Sequence, residues 1–460
     1  MGFLKRTAKY FKDDAAKIVC ERTGWSKPQA YAHMVKASKY GITEKEYLRR
    51  FAYDLEDEEL AQLMDVVDGI WTFRRADEKF YADRIREMAG WDEETCAAKL
   101  KKSKSLGISN MRYAQNGYWL KSDEEIEEIA AAYKEAAEDV REGKQNYLRL
   151  IMDKTGWKYG KAEFEVMKAR AAQGASYEDF YRFRFYDRTP EDRLRFPTLR
   201  VMDRFRCKYV EYGPRARYFD DKAEFNRTFA DKIHRVWFTN EGLTYEKFKD
   251  LIAPLDYVMI KPITDSCGNG ISKHACSVSE SEDRKLYDLI MAQQDILVEE
   301  CVKQHEDMAK LCDTSVNTIR INTMQWNGEC VFQFAIVRTG CGDIIDNFHN
   351  GGIAARVDVE TGVVNADAVD LDGNIYETNP YSGVRLRGYQ IPHWDMILDT
   401  CREISGRVKG VDYVGWDFAI TPDGIDLIEG NEGAYVMPQM CNLQDDVGLR
   451  PVLVDPYMKF

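Results

Sequence analysis

A Gly-Trp dipeptide recurs at a fixed interval in the first part of the chain. It occurs at residues 24–25, 90–91 and 156–157, so the three tryptophans are 66 residues apart. Self-similarity at a fixed period indicates supersecondary units that stack and bury each other's apolar faces. The spacing therefore predicts an array of three helical units of about 66 residues over 1–195, with each tryptophan as a packing residue.

Within each predicted unit, the apolar spacing is that of helices. Segments 27–39, 92–105 and 158–173 carry apolar residues at three- and four-residue intervals, as on one face of an α-helix. A Gly-Ile or Gly-Ala pair follows each segment, at 41–42 in the first unit, and glycine is favoured beyond a helix C-terminus. We expect several short helices in each unit.

Composition excludes some classes of protein. The 460 residues exceed what one core accommodates, so two or three domains are expected. A formal charge of -13 argues against a nucleic-acid partner, and any acidic substrate would need a locally basic pocket. The eleven cysteines are scattered without a CxxC pair, which indicates reduced thiols and a cytoplasmic protein. No run approaches 18 apolar residues, so no membrane span is expected.

After Pro197 the pattern changes from helical repeats to a mixture of strands and helices. Strand-like runs rich in β-branched and aromatic residues, such as 318–323 and 331–337, alternate with helical stretches such as 394–408. We predict an α+β fold, with an all-α repeat region at 1–195 and a mixed region at 196–460. Residues 196–231 form a lead-in segment to the mixed region.

Two segments of the mixed region suggest nucleotide binding. Lys261 ends a buried strand and precedes a glycine-rich turn at 264–271, where backbone N–H groups can approach phosphate oxygens. A second strand ends in acidic residues at 296–302 and could bind an adenine edge and ribose. An ordinary hairpin turn and a solvated edge strand would give the same two patterns.

A third segment, near the C-terminus, suggests a metal site. Asp417 begins one strand of a predicted hairpin, and Glu429 and Asn431 end the next strand on one face. Oxygen ligands of this kind suit Mg²⁺, which takes its remaining ligands from water and substrate phosphates. A purely structural hairpin is the alternative.

The order of these motifs resembles the ATP-grasp superfamily: Lys-Pro, glycine loop, Glu-Glu, an arginine strand, then Asp and Glu-x-Asn. The stretches 315–321 and 347–353 are more specifically similar to the sugar-transfer-associated branch, which is close to the teichuronopeptide-type ligases. The resemblance covers about residues 225–444 and leaves the helical repeats outside. It implies a C-terminal ATP-grasp domain that uses ATP and Mg²⁺.

The resemblance also implies roles for individual residues. Nucleotide binding falls to Lys232 and Lys261, to the lid residues Ser266, Gly268, Asn269, Gly270 and Ile271, and to the hinge residues Glu299, Glu300, Cys301 and Val302. Glu306 or Asp307 is the candidate acid for the ribose. The metal ligands are Asp417, Glu429 and Asn431.

Catalysis in the family implies cations that face the γ-phosphate, because phosphoryl transfer depends on positioning and charge neutralisation. Arg320 is the first candidate, followed by Arg338 and Arg356. The chain departs from the D-alanine ligase type at Gly415, where that type has an arginine two residues before the metal aspartate. The acyl-phosphate oxyanion must then be held otherwise, by the backbone of Asn350–Ile353 or by another arginine.

The implied activity is an ATP-dependent carboxylate–amine ligase that forms an acyl phosphate. Its acceptor is expected to be a peptide, an amino acid or a sugar acid, in cell-surface polysaccharide or peptide modification. Two alternatives remain open, a kinase-like phosphotransferase and a scaffold protein that only binds nucleotide. The repeats are expected to bind the acceptor or a protein or peptide partner.

Removal of residues 1–190 tests the role expected for the repeats. If they bind the acceptor, the truncated protein should lose activity on the full acceptor, measured as acceptor-dependent ADP release. Unchanged activity would contradict the hypothesis.

Overall fold

The computed structural model describes residues 13–135, 137–264, 270–342, 351–431 and 436–459. The chain divides into two compact units, the helical unit (Met1–Arg204) and the sheet unit (Phe205–Phe460). Helices dominate the first and two β-sheets dominate the second. The fold is therefore α+β, as predicted, whereas the repeat and its predicted limits at 195 and 196 stay predictions.

The helical unit is a succession of helices of different lengths. They are α1 (Asp13–Thr23), α2 (Lys27–Lys39), α3 (Glu44–Arg49), α4 (Asp57–Ala89), α5 (Glu93–Ser105), α6 (Asn110–Gln115), α7 (Asp123–Glu135), α8 (Ala137–Thr155), α9 (Tyr159–Gln173), α10 (Tyr177–Arg182), α11 (Pro190–Arg193) and α12 (Leu199–Tyr209), which contains the division between the units. A longer helix, a six-residue helix and a three-residue 3-10 helix follow one another three times, beginning at Lys27, Glu93 and Tyr159.

The turn before each six-residue helix has the same construction. Gly41 has a φ of 76°, a left-handed conformation that glycine adopts without strain. Ile42 is buried, and the hydroxyl of Thr43 accepts a hydrogen bond from the backbone N–H three residues on, as an N-cap. The same order of left-handed glycine, buried apolar residue and capping hydroxyl occurs at 107–109 and 174–176.

One aromatic residue of each six-residue helix belongs to the core. Tyr47, Tyr113 and Phe180 are at most 1% exposed, and burial of a side chain of this size contributes about 1.5–3 kcal/mol. The hydroxyl of Tyr47 forms a hydrogen bond of 2.8 Å with Nδ1 of His33. Burial raises the pKa of Tyr113 to about 12, so its hydroxyl stays protonated.

The sheet unit contains one small and one large antiparallel sheet. Its strands are β1 (Trp237–Thr239), β2 (Tyr257–Pro262), β3 (Ser272–Ala275), β4 (Ile296–Glu300), β5 (Thr318–Trp326), β6 (Glu329–Thr339), β7 (Ile353–Val357), β8 (Ala368–Val369), β9 (Ile375–Tyr376), β10 (Tyr413–Thr421) and β11 (Gly424–Asn431). The small sheet has the order β1-β4-β2-β3, and the large sheet has the order β11-β10-β5-β6-β7-β8-β9.

Helices accompany both sheets. They are α13 (Tyr212–Tyr218), α14 (Lys222–Thr228), α15 (Tyr245–Ile252), α16 (Glu280–Met291), α17 (Glu306–Leu311), α18 (Trp394–Ile404), α19 (Val436–Cys441) and α20 (Arg450–Leu453). Phe248 of α15 and Ile290 of α16 are fully buried in one apolar cluster with Val258 and Ile260 of β2. The small sheet therefore has its own core.

Two of the expectations from the sequence concern the state of the cysteines and the absence of a membrane-spanning helix. Ten cysteines lie among the described residues, and all are free thiols. None of the helices in the described part combines the length and the apolar character needed to cross a bilayer.

Substitution of Gly160 tests the packing at the start of α9. A Cβ there would lie 2.3 Å from the carbonyl oxygen of Phe51 and 2.7 Å from Cβ of Asp54. Gly160→Ala should lower the free energy of unfolding by about 1–3 kcal/mol, as overpacking does. The measurement is urea unfolding of the full chain.

Gly143→Ala is the matched control, because it also lies inside a helix but its Cβ would meet no described atom within 4 Å. It should leave stability unchanged or raise it by up to about 1 kcal/mol, the helix propensity difference. Equal effects of the two substitutions would contradict the packing at Gly160.

Candidate functional site

Three predicted site residues meet where strands of the large sheet run side by side. Asp417 on β10 is directly opposite Arg320 of β5 and Glu429 of β11. The guanidinium of Arg320 donates two hydrogen bonds of 2.5 Å to the two carboxylate oxygens of Asp417. Its Nη2 also lies 3.7 Å from Oε1 of Glu429. A predicted catalytic cation and two predicted metal ligands therefore belong to one cluster.

Arg338 of β6 joins this cluster from the other side of β5. Its Nη2 donates a hydrogen bond of 2.8 Å to Oδ2 of Asp417. Its Nε and Nη2 also donate to Oγ1 of Thr318, at 2.9 and 2.7 Å. Thr318 was not predicted, although it lies two residues before Arg320 and so on the same face of the strand.

The two carboxylates of the cluster have opposite pKa shifts. Burial opposes ionisation of the fully buried Asp417, but the charges and hydrogen bonds of Arg320 and Arg338 outweigh it and lower its pKa. Desolvation and the negative charge of Asp417 raise the pKa of Glu429. Asp417 is thus well compensated, whereas Glu429 is a place where an additional cation would be stabilised.

Asn431 completes the predicted metal set. Its Nδ2 donates to Oε1 of Glu429 at 2.9 Å and lies 3.5 Å from Oδ2 of Asp417. Among the described residues, no group of three or more His, Cys, Asp and Glu side chains is suited to a metal. The predicted metal set consists instead of two carboxylates and an amide. The two carboxylates, one of them incompletely compensated, fit Mg²⁺, whereas the amide of Asn431 faces them with its Nδ2.

Gly415, the point of departure from the D-alanine ligase type, lies beside the same cluster. A Cβ at Gly415 would be 2.8 Å from Oδ1 of Asn322 and 3.2 Å from Cδ of Arg320. Side chains of β5 therefore occupy the space where an arginine of β10 would begin. In this chain the cation beside Asp417, the predicted metal ligand, comes from β5 as Arg320, and the fully buried Asn322 occupies the remaining space.

A second charged cluster connects the small sheet to β11. Glu299 of β4 is 3% exposed, and its carboxylate accepts hydrogen bonds from Lys261, from Arg235 at 2.7 Å and from Asn226 at 3.1 Å. Burial opposes ionisation, but the nearby Arg235 and Lys261 hold the pKa of Glu299 far below its usual range. The predicted phosphate-contacting Lys261 is therefore held by a predicted hinge residue.

Arg235 is the central residue of this second cluster and was not predicted. Its Nη1 donates to Oδ2 of Asp426 at 2.8 Å and to the carbonyl of Leu427 at 2.7 Å, and its Nη2 lies 3.3 Å from the carbonyl of Ile428. Oδ1 of Asp426 accepts the backbone N–H of His234 at 2.6 Å. Arg235 lies in the short segment before β1, and no repeating pattern of residues there distinguishes it from other arginines.

A β-bulge explains why both clusters lie on one face of β11. Asp417 pairs with Glu429, but Phe418 pairs with Leu427, so Ile428 is the extra residue. Residues 426 and 429 would lie on opposite faces of a regular strand. The bulge brings both to the face of Asp417 and leaves carbonyl groups for Arg235.

The other hinge residues have mixed environments. Glu300 accepts the backbone N–H of Val236 at 2.9 Å through its Oε2 and donates its own N–H to the carbonyl of Val236 at 2.8 Å. The N–H of Cys301 donates to the carbonyl of Tyr257 at 3.1 Å, and burial raises the pKa of its thiol. Val302 is half-buried after the strand.

Three other candidates lie apart from these contacts. Lys232 forms an ion pair with Glu403 of α18. Glu306 is exposed at the first position of α17. Arg356 of β7 donates to Asn365 and Asn442, both at 2.7 Å, and to Asp445 at 2.5 Å. None of the partners named here belongs to the two clusters described above.

The predicted lid is described only in part. Ser266, Gly268, Asn269 and the oxyanion candidate Asn350 lie outside the described residues. Gly270 has a φ of 69°, and a Cβ there would meet Cγ of Pro262 at 3.0 Å. Ile271 is half-buried directly before β3. The two described lid residues therefore join the loop to the small sheet beside the end of β2.

Comparison with known families gives this arrangement a context. The model of the sugar-transfer associated ATP-grasp family matches residues 211–454, which is more than half of the chain. The chain belongs to the sugar-transfer associated ATP-grasp family. The resemblance of the ordered motifs is thereby confirmed, and no curated protein matches the chain.

Solved structures of ATP-grasp ligases are similar to the chain at low identity. D-alanyl-alanine synthetase A from Vibrio cholerae is 14% identical, with a TM-score of 0.33, over 54% of this chain and 68% of that protein. VanG D-Ala:D-Ser ligase from Enterococcus faecalis is also 14% identical, with a TM-score of 0.33, over 56% of this chain and 68% of that protein.

Replacement of Arg235 tests the second cluster of this ATP-grasp chain. Arg235→Leu leaves the buried carboxylates of Glu299 and Asp426 without their shared cation. We expect a loss of about 3–5 kcal/mol in the free energy of unfolding, measured by urea unfolding.

Arg227→Leu is the control for loss of an exposed ion pair. Arg227 is 50% exposed and contacts Glu224 at 2.6 Å, so its loss should cost no more than about 1 kcal/mol. Similar losses for both variants would contradict a central role for Arg235.

Proposed function

We propose that the protein is an ATP- and Mg²⁺-dependent carboxylate–amine ligase. The observation that carries the proposal is the cluster in which Arg320 and Arg338 hold Asp417 beside Glu429 and Asn431. It combines two fixed cations with oxygen donors for a metal. An arrangement of this kind suits the neutralisation of phosphate charge, which dominates catalysis of phosphoryl transfer.

The proposed reaction has two steps. A substrate carboxylate attacks the γ-phosphorus of ATP, the bond to the bridging oxygen breaks, and an acyl phosphate and ADP result. An amine then attacks the acyl carbon, phosphate leaves, the amine loses a proton, and an amide remains. We propose a peptide, an amino acid or a sugar acid as the acceptor; the association of the family with sugar transfer supports the sugar acid.

Asp417, Glu429 and Asn431 are the proposed metal ligands. When bound, Mg²⁺ would neutralise phosphate charge and orient phosphate oxygens. The chain contributes by fixing the donors beforehand. The two hydrogen bonds from Arg320 orient the carboxylate of Asp417, and the amide of Asn431 orients that of Glu429.

Arg320 and Arg338 are the proposed cations for the transferred phosphoryl group. Both are mostly buried, with 8% and 12% of their side chains exposed, so water screens their charges little. Because Asp417 already positions them, little reorganisation is needed when charge develops on the phosphate, which is the basis of electrostatic catalysis. The backbone at Asn350 stays the candidate for the acyl-phosphate oxyanion.

Lys261 and the segment Glu299–Val302 are the proposed nucleotide contacts. The hydrogen bond from Lys261 to Glu299 supports this assignment, since it fixes the ammonium group against β4 near the end of β2. The next residue, Pro262, lies close to Gly270 of the proposed lid. The buried carboxylate of Glu299 acts by positioning Lys261. The nearby backbone is the proposed adenine contact. Lys232 and Glu306 remain candidates for further nucleotide contacts.

Substitution of Asp417 tests the proposal. Asp417→Asn removes the charge that Arg320 and Arg338 share and removes one proposed ligand. Mg²⁺-dependent ADP release should fall by at least about 100-fold, comparable to the loss of a major electrostatic group in other enzymes. Asp423→Asn is the matched control, because this exposed residue lies at the turn of the same hairpin, and its activity should be unchanged.

The products distinguish the ligase from its alternatives. ADP and inorganic phosphate released together with a condensed product support a ligase, whereas a stable phosphorylated product identifies a phosphotransferase. ADP release that survives Asp417→Asn in a folded protein, verified by an unchanged unfolding curve, would refute the proposed site. Nucleotide binding without any turnover would identify a scaffold.

A further inference from the structure

A cavity of about 380 Å³ lies within the helical unit. Its wall combines residues of α3, α4, α9, α10 and α12 and the start of α6. Five arginines line it against three carboxylates: Arg49, Arg50, Arg74, Arg170 and Arg200, with Asp77, Glu78 and Glu163. In a chain with a formal charge of -13, this is a local reversal of sign.

The three carboxylates are already neutralised by cations that do not line the cavity. Asp77 pairs with Arg204 at 2.5 Å, Glu78 with Lys104 at 3.2 Å, and Glu163 with Lys144 at 3.1 Å. Arg74 and Arg200 lie farther from the same acids, 3.4 Å from Glu78 and 3.7 Å from Asp77. The wall therefore keeps an excess of positive charge.

Arg170 contributes most clearly to this excess. It is exposed on α9, and its guanidinium forms no hydrogen bond or ion pair with any residue that the structure describes. Burial and the charge of Glu163 raise the pKa of Tyr177, and the nearby charge of Arg170 opposes that rise. Arg49 is 62% exposed, and its partner Glu46 is 3.6 Å away and is shared with Arg50. Guanidinium groups in such positions can bind a carboxylate or phosphate in a bidentate manner.

Aromatic side chains form another part of the wall. Trp71 is 50% exposed, and the guanidinium of Arg74 lies 5.4 Å from its ring centre. Phe73, Tyr81 and Tyr177 also line the cavity. Aromatic rings provide flat apolar surfaces for the apolar face of a ligand ring. The cavity thus offers anion-binding groups and a stacking surface together.

We propose that the helical unit binds a small anionic ligand, a carboxylate or phosphate carried by a sugar-sized ring. The cavity volume lies in the range of about 300–1,000 Å³ typical of small-molecule sites. The arginines bind the anionic group, and Trp71 contacts the ring. This site goes beyond the ligase proposal and does not depend on it, since all of its residues belong to the helical unit.

Calorimetric titration of the full chain without ATP tests the proposal. The probes are D-glucuronate, D-glucose 6-phosphate and neutral D-glucose. At least one anionic sugar should bind, and its affinity should fall with added salt, whereas glucose should not bind. The tighter of the two anions identifies the group as a carboxylate or a phosphate.

Variants then locate the binding. Arg170→Gln and Arg74→Gln should each lower the affinity for the anion by about ten-fold, the effect of a lost charge-assisted hydrogen bond. Arg75→Gln is the matched control, because this exposed arginine neighbours Arg74 on α4 but does not line the cavity. It should leave the affinity unchanged.

Three results would overturn the proposal: neither anion binds, glucose binds as well as the anions, or the three variants lose equal affinity. Because no nucleotide is present, these results are independent of ligase activity. Binding of the sugar anions without ADP release would support this site and contradict the proposed ligase function. ADP release without binding of the sugar anions would support the ligase and contradict this site.

Discussion

The sheet unit depends on one buried guanidinium that joins two sheets. Arg235 binds Glu299 of the small sheet and Asp426 of the large sheet, and all three side chains are at most 3% exposed. Buried charges are tolerated only when they are paired and hydrogen-bonded, because desolvation of each ion costs several kcal/mol. Arg235 meets this condition through Nη1 and Nη2, while its Nε is buried without a partner among the described residues. The position of Lys261 follows from the same network, since Glu299 binds both cations.

The bulge at Ile428 connects this network to the proposed metal site. Glu429 and Asn431 point to the same face as Asp426 only because Ile428 is inserted between the two registers. The carbonyl groups of Leu427 and Ile428 near the irregularity are bound by Arg235. The guanidinium therefore stabilises the strand distortion on which the arrangement of the metal donors depends. A change at Arg235 should thus alter the position of Glu429 through the strand backbone.

Local sequence patterns predicted much of the fold and indicated some of the residues that meet in the candidate site. The apolar spacing, the glycines and the capping hydroxyls determine where α2, α5 and α9 end and where the short helices begin, because these effects act over a few residues. The α+β fold and the family were accessible for the same reason, through the order of short motifs. Roles predicted for Lys261 or Arg320 remain predictions, although Arg320 does meet Asp417. Arg235 was missed, since its partner Asp426 lies 191 residues away in sequence. The bulge was missed because one extra residue in a strand leaves no periodic signal.

Both units solve the same electrostatic problem in different ways. A chain of net negative charge repels anions at long range, so any anionic ligand requires arginines that other carboxylates do not fully neutralise. In the sheet unit, Asp417 fixes Arg320 and Arg338, and the desolvated carboxylate of Glu429 beside them is the place for the proposed Mg²⁺. In the helical unit, cations behind the wall neutralise the acids, which leaves Arg170 available. The first arrangement pairs its arginines with carboxylates and relies on the proposed metal for further positive charge, whereas the second provides its excess positive charge from side chains alone.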